Sequence, residues 1–289
     1  MTDSALAVFT EHRPALFGIA YRMLGSVADA EDVLQDAWLK WSSVASGSVE
    51  SPRAYLARTV TNLSVNRLTS AAKRREAYVG PWLPEPLVTA ADAASEAERT
   101  EAVSLAMLVV LQTLSPLERA VFVLREVFGF SFGEIAGMLG RTEVSVRQVG
   151  SRARSHVQAR RPRFDAPAET RRRVTDEFLS ACVGGDLNKM MELLAPDVTA
   201  WTDGGGKVRA ALRPLHGADR VARWLLGVVR LPLPEPATRQ VTVNGQPGLL
   251  VTSAGAPDSV IAADLGPDGR ITAIRLIRNP DKLRHIGPA

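Results

Sequence analysis

Residues 132–155 read FGEIAGMLGRTEVSVRQVGSRARS, and the fold of the first half of the chain turns on this stretch. Phe132 to Leu139 has helical apolar spacing, Gly140 closes that helix, and Leu139-Gly140-Arg141-Thr142 turns into a second helix over Glu143 to Arg160. A glycine just past a helix end adopts the left-handed conformation at little cost, which is why it marks a stop. Ile135, Ala136, Leu139, Val144 and Val146 are spaced to pack the two helices together at a steep angle. The pattern is a helix-turn-helix, in which the N-terminal residues of the second helix meet base edges in the major groove. Its predicted exposed positions are Glu143, Ser145, Arg147, Gln148, Ser151 and Arg152. Arginine and glutamine make bidentate contacts to guanine and adenine. Arg154, Arg160 and Arg161 follow and suit phosphates. A plain helical hairpin with a solvated arginine face has the same spacing; capping, turn and arginine placement together favour DNA.

Working outward, Ser115-Pro116-Leu117-Glu118 puts serine, proline and glutamate at the N-cap, N1 and N3 positions of another helix, predicted to run to Val127 and to end at Gly129. The first eighty residues are predicted helical as well. Leu16, Ile19, Ala20, Met23 and Leu24 form one apolar stripe. Gly25-Ser26 breaks it, and Ser26 caps a helix over Ala28–Trp41 with Val33, Leu34, Ala37, Trp38 and Trp41 at helical spacing. Ser42–Ser51 is small and polar, hence a loop, and Pro52 opens a third helix.

The formal net charge of +4 says little, but its distribution says more. Residues 1–50 carry net −4, 51–80 net +5, 81–115 net −4 and 141–163 net +6. Two basic blocks in separate segments are the pattern of a two-point nucleic-acid contact, although two solvated helix faces would carry the same charge. The first block lies on the third helix and presents Tyr55, Thr59, Asn62, Asn66, Arg67, Lys73, Arg74 and Arg75. Asn62 and Asn66 are four apart and share a face, and an amide face flanked by cations and an aromatic suits unstacked single-stranded bases.

Between the two helical blocks, Val79-Gly-Pro-Trp-Leu-Pro-Glu-Pro-Leu87 holds three prolines in nine residues and is predicted extended. Trp82 and Leu83 are too apolar for a pure spacer and are expected to dock on something. Helix is predicted from about Ala94 to Leu114. Pro162–Pro167 marks a boundary, and Glu169–Leu194 is predicted as two helices broken near Gly184-Gly185-Asp186. Strand-like runs follow at Val198–Trp201, Gln240–Val243, Gly248–Thr252, Val260–Asp264 and Ile271–Ile277, with turns at Asn244-Gly245 and Asp268-Gly269 and one helix at Ala218–Val229. The tail is therefore an α+β domain of its own.

Several function classes fall away on composition. Hydrophobic residues at 46% and charged residues at 23% are globular values and exclude wholesale disorder. With Cys182 the single cysteine, an intrachain disulfide framework or cysteine-rich zinc site is excluded, as suits a reducing cytoplasm. The greasiest run, Leu105–Leu111, is far short of the ~18 apolar residues of a membrane helix, so a cytoplasmic protein without a membrane partner is expected.

Two segments carry a family resemblance. Ala28-Asp-Ala-Glu-Asp-Val-Leu-Gln-Asp-Ala-Trp38 resembles region 2 of the extracytoplasmic-function (ECF) sigma factors, and Leu114-Ser-Pro-Leu-Glu-Arg119 with the helix-turn-helix resembles their region 4. The order matches over residues 1 to about 165. Trp82-Leu-Pro-Glu-Pro86, Asp203-Gly-Gly-Gly-Lys207 and Asn279-Pro-Asp-Lys-Leu283 resemble the signature of a subgroup with a fused SnoaL-like domain, a cone-shaped α+β barrel of the nuclear-transport-factor type. The resemblance implies a multidomain chain: all-α region 2 over 1–76, a linker over 77–100, all-α region 4 over 101–163 and a SnoaL-like regulatory domain over 168–289.

It also implies roles. Asp29, Asp32, Gln35 and Asp36 match the surface that docks on the β′ clamp helices of core RNA polymerase, with the β flap as a second polymerase contact. The 42–51 loop and the helix with Tyr55–Arg75 match the elements that melt and read the minus-ten promoter element; unstacking a base costs a few kcal/mol, which polymerase binding offsets. Glu143–Arg154 match the reader of the minus-thirty-five element. Trp82, Leu83, Pro84, Asp203, Gly204, Gly205, Gly206, Lys207, Asn279, Pro280 and Asp281 are expected to make regulatory contacts between domains, the tail standing in for a separate anti-sigma factor. No cofactor, metal or catalytic residue is implied. SnoaL-like folds do include enzymes, so His216, His285, Asp197, Asp203 and Asp264 are weighed as acid–base candidates, and none forms a nucleophile–base pair by spacing. A catalytic or ligand-sensing tail, and a duplex-binding repressor, are the rival expectations. The Asp203–Lys207 loop lacks the Walker spacing; its glycines suit a close backbone approach, or a simple hairpin turn.

Overall fold

The computed structural model describes residues 2–44, 49–90, 103–160 and 166–287, without the side chains of 2–4, 71–76 and 90. Two compact units divide the chain, Met1–Glu76 with Leu108–Arg161, and Ala77–Met107 with Pro162–Ala289. Each unit is thus discontinuous, and the segment between the two helical blocks belongs with the tail.

The first unit is helical. Helices α1 (Thr2–Leu24), α2 (Val27–Ser42) and α3 (Pro52–Glu76) form its first part. The predicted stripe closes their core: Leu16, Ile19, Ala20, Met23 and Leu24 are buried with Val33, Leu34, Ala37, Leu56 and Val60. Ser26 caps α2 by accepting from the Asp29 amide at 3.1 Å, and Trp41 Nε1 donates to the Ala5 carbonyl at 2.9 Å, tying the end of α2 to the start of α1. The expected 42–51 loop falls partly outside the described residues.

The helix expected from about Ala94 to Leu114 is corrected: residues 91–102 lie outside the described ones, Val103 and Ser104 are not helical, and α4 covers only Leu105–Leu111, with the Ser104 hydroxyl accepting from the Met107 amide at 3.2 Å in its first turn. Next come α5 (Pro116–Phe122), ending in a π turn over Val123–Val127, then α6 (Phe132–Leu139) and α7 (Glu143–Arg160). Capping boxes start α5 at Ser115/Glu118 and α6 at Ser131/Glu134. Gly140 ends α6 in the left-handed region at φ 63°. Ile135, Ala136, Met138, Val146, Val149, Ala153 and Val157 bury the α6–α7 contact. One expectation is corrected here: Val144 is 67% exposed, because Val146, Val149, Ala153 and Val157 put the buried face of α7 elsewhere and Val144 lies outside it.

The second unit is α+β, as expected. Helices α8 (Ala168–Gly184), α9 (Leu187–Leu193) and α10 (Ala218–Val229) accompany a sheet of seven strands. The strands are β1 (Val88–Ala90), β2 (Leu194–Asp203), β3 (Leu215–His216), β4 (Pro236–Val243), β5 (Gln246–Ser253), β6 (Ala256–Leu265) and β7 (Ile271–Ile277), in the order β1-β4-β5-β6-β7-β2-β3. All neighbours pair antiparallel except β2 with β7. Val174, Phe178, Met190, Val221, Ala222 and Leu225 of the helices pack against Val198, Ala200, Leu265, Ile271 and Ile274 of the strands. Asn244 (φ 51°) and Gly245 (φ 75°) form the tight β4–β5 turn that their sequence predicts. Strand β1 was not anticipated: it comes from the segment after the prolines and pairs with β4 as Val88↔Val243 and Ala90↔Val241.

Candidate functional site

The predicted base-reading surface lies along α7. Glu143, Arg147, Gln148, Ser151, Arg152 and Arg154 are exposed, and Ser145 is half-buried. Two of its cations are engaged. Arg147 pairs with Glu143 through Nε at 3.0 Å and stands over the Phe132 ring, 5.6 Å from its centre, while Arg154 Nη2 meets Glu126 at 2.6 Å. Gly150 brings α7 close to its neighbours, since a methyl there would lie 3.1 Å from the Phe132 ring and 3.3 Å from Val121.

The other predicted surface spans α2 and α3. Asp32, Gln35 and Asp36 are exposed on α2, and Asp29 is half-buried in its first turn. On α3, Tyr55 packs against Trp41 at 5.6 Å between ring centres and Thr59 donates to the Tyr55 carbonyl at 2.9 Å. Asn66 is exposed. Arg67 joins the two helices: its Nε donates to Asp29 Oδ1 at 3.0 Å and its Nη2 to Asp32 Oδ2. Lys73, Arg74 and Arg75 have side chains outside the described residues.

Within this helical unit the two predicted DNA-facing parts touch. Asn62 Nδ2 reaches the Met138 carbonyl of α6 at 3.4 Å. Arg53 Nη2 donates to the Phe128 carbonyl at 3.2 Å and stacks over Phe130. Arg119, 3% exposed, donates from Nη1 to the Met23 carbonyl at the end of α1 at 2.6 Å.

In the α+β unit the three short motifs converge on one carboxylate. Asp203 ends β2 fully buried. Its Oδ2 accepts from the Leu83 amide at 2.8 Å and from Lys282 Nζ at 2.7 Å; its Oδ1 accepts from Tyr78 Oη at 2.5 Å and the Gly205 amide at 3.1 Å. Lys282 Nζ also donates to the Leu83 carbonyl at 2.5 Å and lies over the Trp82 ring, 3.9 Å from its centre. Asn279 caps the 3-10 turn Pro280–Lys282 and donates from Nδ2 to Tyr78 Oη at 2.8 Å. Burial, with the Asp203 carboxylate beside it, pushes the Tyr78 hydroxyl above its ordinary range.

The glycines after Asp203 are there for backbone approach. A Cβ on Gly204 would lie 2.5 Å from the Val208 carbonyl oxygen, and one on Gly205, at φ 60°, would collide with the Asn279 side chain. Lys207, half-exposed, pairs with Asp281, which Arg284 also meets at 2.5 Å. Further along the linker, His285 Nε2 contacts the Pro86 carbonyl at 2.7 Å. Asn244 accepts from the Leu87 amide at 3.0 Å on Oδ1 and donates from Nδ2 to the Val103 carbonyl at 3.1 Å.

The roles of Tyr78 and Lys282, and that of the turn residue Asn244 in holding the linker, were missed from sequence. Lys282 sits inside the quoted Asn279–Leu283 motif, yet a lysine is expected to be solvated, and only the aromatic and acidic partners brought by the fold explain its burial. The acid–base candidates have structural partners: Asp203 as described, Asp264 in a buried pair with Arg275 at 2.7 Å, His216 beside Thr199 Oγ1 at 3.2 Å, and His285 on Pro86; Asp197 is exposed. Among the described residues no His, Cys, Asp and Glu side chains group as a metal site, and no helix is long and apolar enough to cross a membrane.

Residues 8–74 match the family Sigma-70 region 2, and residues 104–157 match Sigma-70, region 4. The chain is 38% identical over 286 residues to the ECF RNA polymerase sigma factor SigJ of Mycobacterium tuberculosis, covering 95% of this chain and 91% of that one. It is 32% identical to the probable ECF RNA polymerase sigma factor SigI of the same species, covering 97% and 95%. The crystal structure of M. tuberculosis SigJ aligns with a TM-score of 0.77 at 36% identity, over 96% of this chain and 98% of that one.

Proposed function

The chain belongs to the ECF RNA polymerase sigma factors, and from that premise we propose how its parts divide promoter-specific transcription initiation and how its tail controls it. Helix α2 docks on the β′ clamp helices of core polymerase through Asp29, Asp32, Gln35 and Asp36, with the β flap as a second contact. Helix α3 reads the minus-ten element with Tyr55, Thr59, Asn62, Asn66 and the basic run that follows. Helix α7 reads the minus-thirty-five element with Arg147, Gln148, Arg152 and their neighbours. The protein works in the cytoplasm without a separate anti-sigma factor, because the SnoaL-like tail restrains it.

The observation that carries the regulatory role is the convergence of the linker with the tail on the buried Asp203–Lys282 pair. The linker is the tether between the two DNA readers, and a tether sets the effective concentration of the second contact once the first has formed. Holding it within the tail's sheet and salt-bridge cluster limits how far apart the readers can move. The helical unit adds a second support. Promoter elements about 25 base pairs apart lie roughly 85 Å apart along B-form duplex, whereas Asn62 of α3 is in hydrogen-bond contact with α6. Readers packed this way cannot occupy both elements at once, so initiation requires them to separate.

Run-off transcription with core RNA polymerase on a promoter library tests this in the full chain. Trp82→Ala removes the ring under Lys282; a cation–π contact is worth about 0.5–2 kcal/mol, so yield is expected to rise about two- to thirtyfold from unchanged start sites. Lys207→Ala, which removes only an exposed pair, is expected to change it less. Equal yields from the Trp82→Ala and parent chains would sink the regulatory role while leaving the sigma factor intact. Cutting the chain after residue 165 is a poorer test, because it strips β1 of the β4 strand it pairs with.

A further inference from the structure

We propose that Arg67 is an internal competitor for the polymerase-docking carboxylates, which polymerase must displace and which then becomes available to promoter DNA. The inference rests on the interface assignments just made for α2 and α3. Its geometry is a fork. The two nitrogens of one planar guanidinium each take a different aspartate, Asp29 in the first turn of α2 and Asp32 one turn on. Arginine's rigid donor array allows this, and an ammonium, as a single point charge, would hold the two carboxylates less well.

Position turns this pair into a coupling. Asp29 and Asp32 belong to the acidic face expected to meet a basic partner, and Arg67 belongs to the helix expected to meet single-stranded DNA. The free chain uses the charges of both surfaces against each other. Side-chain exposures of 28% for Arg67, 25% for Asp29 and 58% for Asp32 leave the cluster at the surface, where a partner's cations reach the carboxylates without opening the core. A basic clamp helix that pairs with Asp29 and Asp32 replaces Arg67 there. The guanidinium released lies on the nucleic-acid face and can take a phosphate. Docking and DNA reading are thereby linked through one side chain, and each must strengthen the other, since coupling of binding free energies is reciprocal.

The sign of one measurement separates this from a structural role. A residue that only positions the two aspartates would weaken polymerase binding when removed; a competitor would strengthen it. The full-length chain, labelled with a fluorophore and titrated with core RNA polymerase, is expected to bind about three- to tenfold more tightly as Arg67→Gln, in proportion to two surface pairs of ordinary strength. The same holoenzyme is expected to open promoters less well, with the salt dependence of binding shallower by about 0.7 for one lost phosphate contact on a single strand. Arg67→Lys, which keeps the cation and loses the fork, is expected to shift polymerase affinity in the same direction by a smaller factor, and it decides the matter if the glutamine variant melts early. Unchanged or weaker polymerase binding by both variants overturns the proposal. Asp29→Asn/Asp32→Asn in one chain tests the assignment beneath it. If that chain binds polymerase like the parent, the docking surface lies elsewhere and both statements fall; if it binds more weakly while the Arg67 variants bind no better, only the competition is wrong.

Discussion

At the scale of one side chain, Lys282 ties the linker to the tail of the α+β unit. It is 5% exposed, yet it holds Asp203 and the Leu83 carbonyl and lies over two aromatic rings, Trp82 and Tyr78. Taking one partner from a buried ion pair leaves an uncompensated charge, a change that costs about 3–5 kcal/mol. Asp203 retains donors from Tyr78, Leu83 and Gly205, so Lys282→Met is expected near the lower end of that range in a urea melt of the full chain. Asp203→Asn added to Lys282→Met removes the stranded charge and is expected to recover part of the loss; a double variant no more stable than the single one would show that the charge was not the cause. Motif positions such as Asp203 and Asn279 were legible in sequence because they stand in short marked strings. Tyr78 and Lys282 were not, because their roles exist only once β2, the linker and the last turn have met.

The helices show which elements sequence can foresee. Capping is local chemistry, so Ser26 and Ser115 announce their helices in residues that touch each other. Both capping boxes also make a pH prediction. The hydroxyl and amide of Ser115 hold the Glu118 carboxyl below its usual range, and those of Ser131 do the same for Glu134. A carboxyl lowered in the folded state contributes stability above its unfolded pKa of about 4.3, and that contribution is lost as pH falls through the folded value. Ser115→Ala is therefore expected to cost about 1 kcal/mol at pH 7 and clearly less near pH 3, measured by denaturant titration at each pH. An equal cost at both values would mean that the serine acts without the glutamate. Other elements depend on distant partners and were out of reach. Strand β1 has three residues, too few for alternation to signal a strand, and it is one because Val241–Val243 offers an edge. Spacing gives the apolar face of a helix only to within about a residue, which is why it assigns the exposed Val144 to the core.

At the scale of the molecule, the order of the chain and the composition of its compact units differ. The segment Ala77–Met107 lies between the two sigma regions in sequence and folds with the tail. Composition revealed the linker and the α+β tail separately; their union depends on contacts some 120 to 200 residues apart, such as Leu83 with Asp203, Asn244 with Leu87 and Val103, and Lys282 with Leu83, which no local pattern encodes. Asn244 fastens the linker at two places, the Leu87 amide and the Val103 carbonyl, and its φ of 51° suits glycine as well. Asn244→Gly thus keeps the turn and removes two side-chain hydrogen bonds, each worth about 1 kcal/mol, which corresponds to roughly 30-fold faster local opening. Hydrogen exchange on the full chain is expected to accelerate by about that factor at the amides of Leu87 and β1, while β7 and the helices of the first unit keep their protection. If the restraint on the tether is what limits initiation, the same substitution raises run-off transcription in step with the exchange rate. Faster exchange without a change in transcription would separate the two: the linker would then be part of the tail's architecture, and control of the sigma factor would have to lie in the contact between its own two DNA-reading regions.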